Sequence, residues 1–507
     1  MSLPQKHFNK TKELLDKIDK SKIADWLLNE GYFPEQYVLP PSFQTTDFEL
    51  KNEPYNSDLS DLARRDLISI SYPKTLLTSR NFAIQDPRNY HDIVYWMMDD
   101  WSLILDKLFH DELKIYPYSF PIPVTARSSG ALSPLRSGRM IYEWLEMAEK
   151  DMIAEASEYN LIIRTDIKNF YNSIYTHSIA WALHGREKAL QDIGSYNLVG
   201  NKIDRLVQYA NDARTNGIPV GSALSDLIAE IVLTSIDRKV SNELEDINFL
   251  GTRFKDDYRI LCNSKEDAKT ILRALSEELN QFNLLLNEKK THILELPEGL
   301  YRKHDREYFP HSLKGKEKIS FKEFELTLLN ALDIHREYPG TSLLEKFLNE
   351  LFDNDYNLKI EFSNNTKTQR KQLIKTISLM IMLKRESEKT LCHVLAIIEV
   401  IFNKYGRKHD LKEYLQELFY KEIADASDRD SVFELVWIVF FSRFAGIGLV
   451  KFKDKIDDEL MENLFLKTII ASQQKIFPGS HIDLFTKPKD CRDNKLAKIV
   501  AAFEREK

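Results

Sequence analysis

The sequence predicts an α+β chain, with a small sheet of split βαβ order in its middle and only helices after about residue 300. Three observations predict it. Between residues 161 and 296, β-branched runs and helical periods follow one another as β-α-α-β-β-α-β. Beyond residue 300 strand signals vanish and helical periods recur. The 16 glycines and 17 prolines among 507 residues form no flexible linker, so the parts pack together rather than hang on tethers.

Taken in order, residues 10–29 carry Leu14, Leu15, Ile18, Ile23 and Trp26 at near-helical spacing. Pro34, Pro40, Pro41 and Pro54 then punctuate the chain. Residues 89–109 read as an amphipathic helix with Ile93, Trp96, Met97, Trp101 and Ile104 on one face. Residues 117–140 are rich in Pro, Ser and Gly and hold Arg127, Arg136 and Arg139 without any acid.

The middle of the chain is the most informative. Residues 161–167 are a short strand that ends at Asp166 and leads into a helix over 169–183. Gly217-Ile-Pro-Val-Gly221 is a loop feeding a helix through Leu224, Leu227, Ile228, Ile231 and Ile236. Residues 248–254 and 258–262 form a hairpin around Lys255-Asp256-Asp257. Ser264 and Asp267 open a helix as a capping box, and residues 284–286 and 292–296 return as extended segments. Apart from one extra helix this is the ferredoxin-like order, in which the first strand and the hairpin are sheet neighbours. The order predicts that Asp166 meets Asp256-Asp257 at one edge.

After residue 300, helices are expected over 321–334, 343–352, 372–383, 391–402, 411–420, 432–441 and 460–470, stacked as antiparallel pairs. The apolar run 432–450 is interrupted by Glu434 and Arg443, so it reads as a buried helix and not a membrane span. The three cysteines (Cys262, Cys392 and Cys491) fit neither a disulfide framework nor a zinc spacing, and the polar N-terminus lacks a signal-peptide core. Both suit a reducing cytoplasm. A net charge of −7 argues against a long basic duplex-binding groove.

Strand-borne carboxylates meeting at a sheet edge suit magnesium, or manganese in its place, because these ions take oxygen ligands and share them with substrate phosphates. Nucleotide joining is in-line phosphoryl transfer with two such ions roughly 4 Å apart. An Asp-Asp pair alone reads more simply as a hairpin turn. Its apolar flanks, the preceding Asp166 and the intervening Gly-Ile-Pro-Val-Gly loop favour the catalytic reading.

The run Asp166-Ile-x-x-Phe-Tyr-x-Ser-Ile174, then Gly217 to Gly221, Phe254 to Asp257 and Leu286 to Thr291, resembles motifs A to D of reverse transcriptases. The stretch Tyr171 to Trp181, with Leu62-Ala-Arg-Arg65 and Pro121-Ile-Pro123, is similar to the bacterial abortive-infection (Abi) reverse transcriptases. The resemblance implies an N-terminal helical, priming arm over 1–60, fingers over 61–160, a palm over 161–300 and a HEAT-like helical domain over 301–507. It implies Asp166, Asp256 and the Ile167 carbonyl as metal ligands, with Asp257 supporting. Tyr171 would lie under the sugar and Lys290 would protonate the leaving pyrophosphate, although a core aromatic and a solvated lysine remain alternatives. Arg127, Arg136 and Arg139 would grasp the triphosphate, with Val220 and Gly221 beside the nucleotide. His177 orders the turn after motif A.

Val220 stands where templated enzymes carry Gln, and Phe254-Lys255 where they carry Tyr-Ala. With the acidic charge, these departures favour the Abi mode that the resemblance implies. That mode is untemplated DNA synthesis from dNTPs, primed from a protein hydroxyl, leaving single-stranded DNA attached to a homo-oligomer of three or more, in defence against phage. Tyr32, Tyr37 and Tyr55 are priming candidates, as is Phe8 if the native residue there is Tyr. The alternatives are a templated enzyme using a partner RNA and an inactive palm serving as a scaffold.

Overall fold

The computed structural model describes residues 1–75, 78–124, 132, 142–472, 475–491 and 495–500. Its main sheet takes the order that the mid-chain pattern predicts. Strand β3 is Ile115–Pro117, β4 is Leu161–Asp166, β5 is Leu250–Phe254, β6 is Asp257–Cys262 and β7 is His292–Glu295. They run β3-β5-β6-β4-β7, and each neighbouring pair within β5-β6-β4-β7 is antiparallel. This is the ferredoxin-like arrangement, extended by β3 parallel to β5. Under it runs the Ala223–Glu243 helix, capped by Ser222, with apolar residues buried on nearly every side.

Ahead of the sheet stands a hairpin of β1 (Ile68–Thr75) and β2 (Thr78–Ile84). Several expected helices are broken. The one expected over 10–29 is two, Leu3–Leu15 and Lys20–Leu28, because Asp19 caps the second. The one over 89–109 divides at Asp100 into Pro87–Asp99 and Trp101–Leu108. The one over 169–183 divides into Phe170–Ser173 and Ser178–His184, since Ile174 is extended and Tyr175 pairs with Asn216. The first helix is no free arm: Phe8 is 5% exposed and packs on Phe109 and Tyr116.

The helices beyond residue 320 form close to their expected places, from Phe321–Glu337 and Leu343–Glu350 to Val432–Phe444 and Leu464–Ala471. Consecutive helices pack as pairs, and Leu343–Glu350, Leu391–Tyr405, Val432–Phe444 and Leu464–Ala471 stack in succession. Strands are not wholly absent there, since Ile319–Ser320 pairs in parallel with Ile360–Glu361. Trp437 donates to the Val38 carbonyl and Phe433 meets Tyr72 of β1, so this helical stack buttresses the hairpin. Among the described residues, no helix is long and apolar enough to cross a membrane.

Candidate active site

Asp166 ends β4 and Asp257 begins β6, and the two face each other as register partners. Directly opposed residues on antiparallel strands project to the same face of a sheet. Asp256 lies in the two-residue turn, where the Ile167 amide donates to its carbonyl at 3.1 Å. Asp166 and the Asp256-Asp257 pair, separated by about ninety residues of sequence, therefore converge.

A buried ionic scaffold holds that turn. Asp226, Glu230 and Asp237 lie along one face of the Ala223–Glu243 helix. Lys255 pairs with Asp226 at 3.1 Å and Arg253 with Glu230 and Asp237 at 3.0 and 2.7 Å. The Tyr258 hydroxyl donates to Asp237, and the Lys255 amide to Ser119. Burial pushes the Asp237 carboxyl up to about 6, although Arg253 pulls it down. Lys255 holds a left-handed φ of 54°, which these contacts fix.

The acids themselves are under electrostatic load. Burial raises the Asp256 carboxyl above its ordinary range, and the neighbouring Asp166 adds to this while Arg80 opposes it. Asp257 is raised for the same first reason, with Arg259 and Arg164 opposing. One Asp166 oxygen pairs with the Lys290 ammonium, and the other is buried without a hydrogen-bond partner. As the side chains stand, no three His, Cys, Asp or Glu residues among those described are gathered closely enough to hold an ion. The donors nonetheless fit magnesium. They are oxygens, one is orphaned, and magnesium commonly takes only one or two carboxylates beside substrate phosphates.

The Gly217–Gly221 loop packs between the first-motif helix and the hairpin. The Ile218 amide donates to the Tyr171 carbonyl, and the Ala83 amide of β2 to that of Val220. Gly221 holds φ 138°, and a Cβ there would stand 3.2 Å from both Phe82 and Pro34, so only glycine fits. The Tyr171 hydroxyl donates to Asp226, which links it to the same carboxylate that holds Lys255. His177 pairs with Asp204, which raises its imidazole pKa and orders the turn.

Arg127, Arg136 and Arg139 lie outside the described residues. The sequence reading missed Lys74 on β1 and Arg80 on β2. Burial holds the Lys74 ammonium low, Arg80 and Lys290 repel it, and Asp256 and Asp166 draw on it, which sets the hairpin's cations over the acids. The alternation Ile68-Ser69-Ile70-Ser71-Tyr72 was the available signal. Among the priming candidates, Tyr32 is buried and its hydroxyl donates to the Gln85 carbonyl at 2.5 Å. Tyr37 packs on Tyr72. Tyr55 is 37% exposed, with the Lys51 ammonium 3.9 Å over its ring.

Residues 105–321, less than half of the chain, match the family described as reverse transcriptase (RNA-dependent DNA polymerase). No curated protein matches the chain. Similar solved structures include telomerase from Candida albicans with a fragment of telomeric RNA (12% identity, TM-score 0.31, covering 70% of this chain and 65% of that one). Apo telomerase from Candida tropicalis is another (11%, TM-score 0.33, covering 83% and 67%). The chain thus spans less than two thirds of the length of the first of these. A reverse transcriptase domain is present over residues 105–321, and the converging carboxylates Asp166, Asp256 and Asp257 lie within it.

Proposed function

We propose that the chain is a nucleotidyltransferase that extends DNA from dNTPs without a template, starting from a protein hydroxyl. The observation that carries the catalytic part is the register pairing of Asp166 with Asp257, which brings the Asp256 turn alongside. Asp166, Asp256 and the Ile167 carbonyl would hold divalent ions, with Asp257 supporting. Such ions supply charge neutralisation at the reacting phosphoryl oxygens. Lys74 and Arg80 bind the triphosphate beside them. Lys290, already an ammonium paired to Asp166, delivers a proton to the leaving pyrophosphate. Tyr171, braced by Asp226, lies under the sugar.

Three features support synthesis without a template: the net charge of −7, the apolar Val220 in the loop, and helical pairs following the last motif. The resemblance to Abi enzymes supports a role in phage defence, a bacterial cytoplasmic location, a homo-oligomer and a HEAT-like character for the helical stack. The buried Tyr32 hydroxyl makes Tyr55 and Tyr37 the better primers. A templated enzyme is the second reading, favoured by the match to the reverse transcriptase (RNA-dependent DNA polymerase) family.

The test is incubation of the full chain with Mg²⁺ and labelled dNTPs alone. A protease-sensitive DNA ladder, absent in Asp256→Asn, is expected. Incorporation only after a primer–template is added overturns the untemplated reading in favour of the templated one. Peptide mapping of the ladder identifies the priming residue.

A further inference from the structure

Two residues inward from the carboxylates, on the same sheet face, lies a group of arginines that no acid among the described residues pairs with. Arg164 of β4 and Arg259 of β6 are register partners, so two guanidiniums stand directly opposite each other on adjacent strands. Such like-charged pairing is unfavourable unless something compensates it. Arg302 joins them. The Arg259 and Arg302 guanidiniums lie over the Trp144 ring at 4.7 and 4.5 Å. Arg259 is only 2% exposed, and its Nε has no hydrogen-bond partner.

The acids nearby do not satisfy this cluster. Asp257 draws on all three arginines, yet no carboxylate among the described residues lies within ion-pairing distance of any of them. Asp305 and Glu149 act on Arg302 from further away, and Asp305 is already paired with Lys346 at 3.0 Å. Burial first, then repulsion from Arg164 and Arg302, brings the Arg259 guanidinium down to about 10 against the pull of Asp257. A buried guanidinium with an unsatisfied N–H is costly, and a phosphate matches its fork geometry.

We propose that Arg164, Arg259 and Arg302, floored by Trp144, form a phosphodiester-binding subsite that grips the growing strand one nucleotide behind its reacting end. Position selects the strand over the incoming nucleotide. The cluster lies about 7 Å along β4 and β6 from Asp166 and Asp257, roughly one nucleotide's reach. Lys74 and Arg80 of the hairpin act on Asp256 and not on this cluster, which leaves them for the incoming nucleotide. The assignment of the strand rests on the nucleotidyltransferase reading, although the anion site itself does not.

Binding of fluorescein-labelled single-stranded oligo(dT) and of dTTP to the full chain, both in EDTA so that no turnover occurs, tests this. Arg164 and Arg302 are the residues to vary, since both are partly exposed whereas Arg259 is buried. Arg302→Gln and Arg164→Gln should each weaken oligo(dT) roughly tenfold and lower the salt slope by about 0.7, with dTTP affinity unchanged. Phenylglyoxal modification of Arg302 in the unaltered chain should be suppressed by oligo(dT) and not by dTTP. Unchanged oligo(dT) affinity in both variants, or a loss confined to dTTP, overturns the proposal. If the unaltered chain binds oligo(dT) through these arginines yet incorporates no nucleotide, the polymerase reading fails and the anion site stands.

Discussion

At Asp256 the carboxylate is held in a place that disfavours its charge, through burial first and then through the neighbouring Asp166. Because its folded pKa is raised above the ordinary 3.8, the folded chain keeps a proton that the unfolded chain releases. Its contribution to stability is therefore lost as pH rises above 3.8 through the raised value. Asp256→Asn should leave the melting temperature at pH 7 equal or higher while abolishing incorporation. Mg²⁺ should raise the melting temperature of the unaltered chain but not of the variant, as calorimetry with and without Mg²⁺ would show. Lys290 is a different case, since its ammonium pairs with Asp166 and is the proton donor we propose for the leaving pyrophosphate. Lys290→Gln should reduce the incorporation rate by about 100-fold with dTTP affinity little changed, measured by single-turnover kinetics.

In the helical stack, Lys384 is 1% exposed and pairs with Glu422 at 2.8 Å and Glu434 at 2.5 Å, which ties three helices together. Lys384→Ala removes the cation the two carboxylates share, leaving Glu422 to Arg385 and Glu434 to Arg429, and should cost about 1.5–3 kcal/mol in urea unfolding. Glu399, on Leu391–Tyr405, accepts from the Leu496 amide at 2.7 Å, and burial pushes its carboxyl up to about 7. Stability should fall as pH rises from 4.5 to about 7, and Glu399→Gln should flatten that slope in melts across the window. These helices were legible in the sequence because a period of 3.6 persists over several turns in each. Their breaks were harder to read. The interruptions at Asp19 and Asp100 keep apolar periodicity on both sides, and only a cap or a single non-helical residue marks the division. β3 is three residues long and owes its existence to pairing with β5, which no local pattern records.

At the scale of the molecule, the order of strands foretold the meeting of Asp166 with Asp256-Asp257, because split βαβ connectivity leaves the first strand beside the hairpin. What it could not foretell was the roof. The β1–β2 hairpin reaches the acids because Phe433 and Trp437, more than 300 residues later, pack on Tyr72 and Val38. Such long-range packing is written in no local spacing, and for the same reason the Arg164–Arg259–Arg302 cluster joins three separated segments. All of this depends on Asp166 and Asp256 sharing divalent ions. The most direct test is anomalous diffraction from crystals of the full chain soaked with Mn²⁺ and a non-hydrolysable dNTP. The account predicts manganese peaks bridging the Asp166 and Asp256 carboxylates and the nucleotide phosphates, with Lys290 swung off Asp166. Nucleotide density without manganese at those two carboxylates would contradict it.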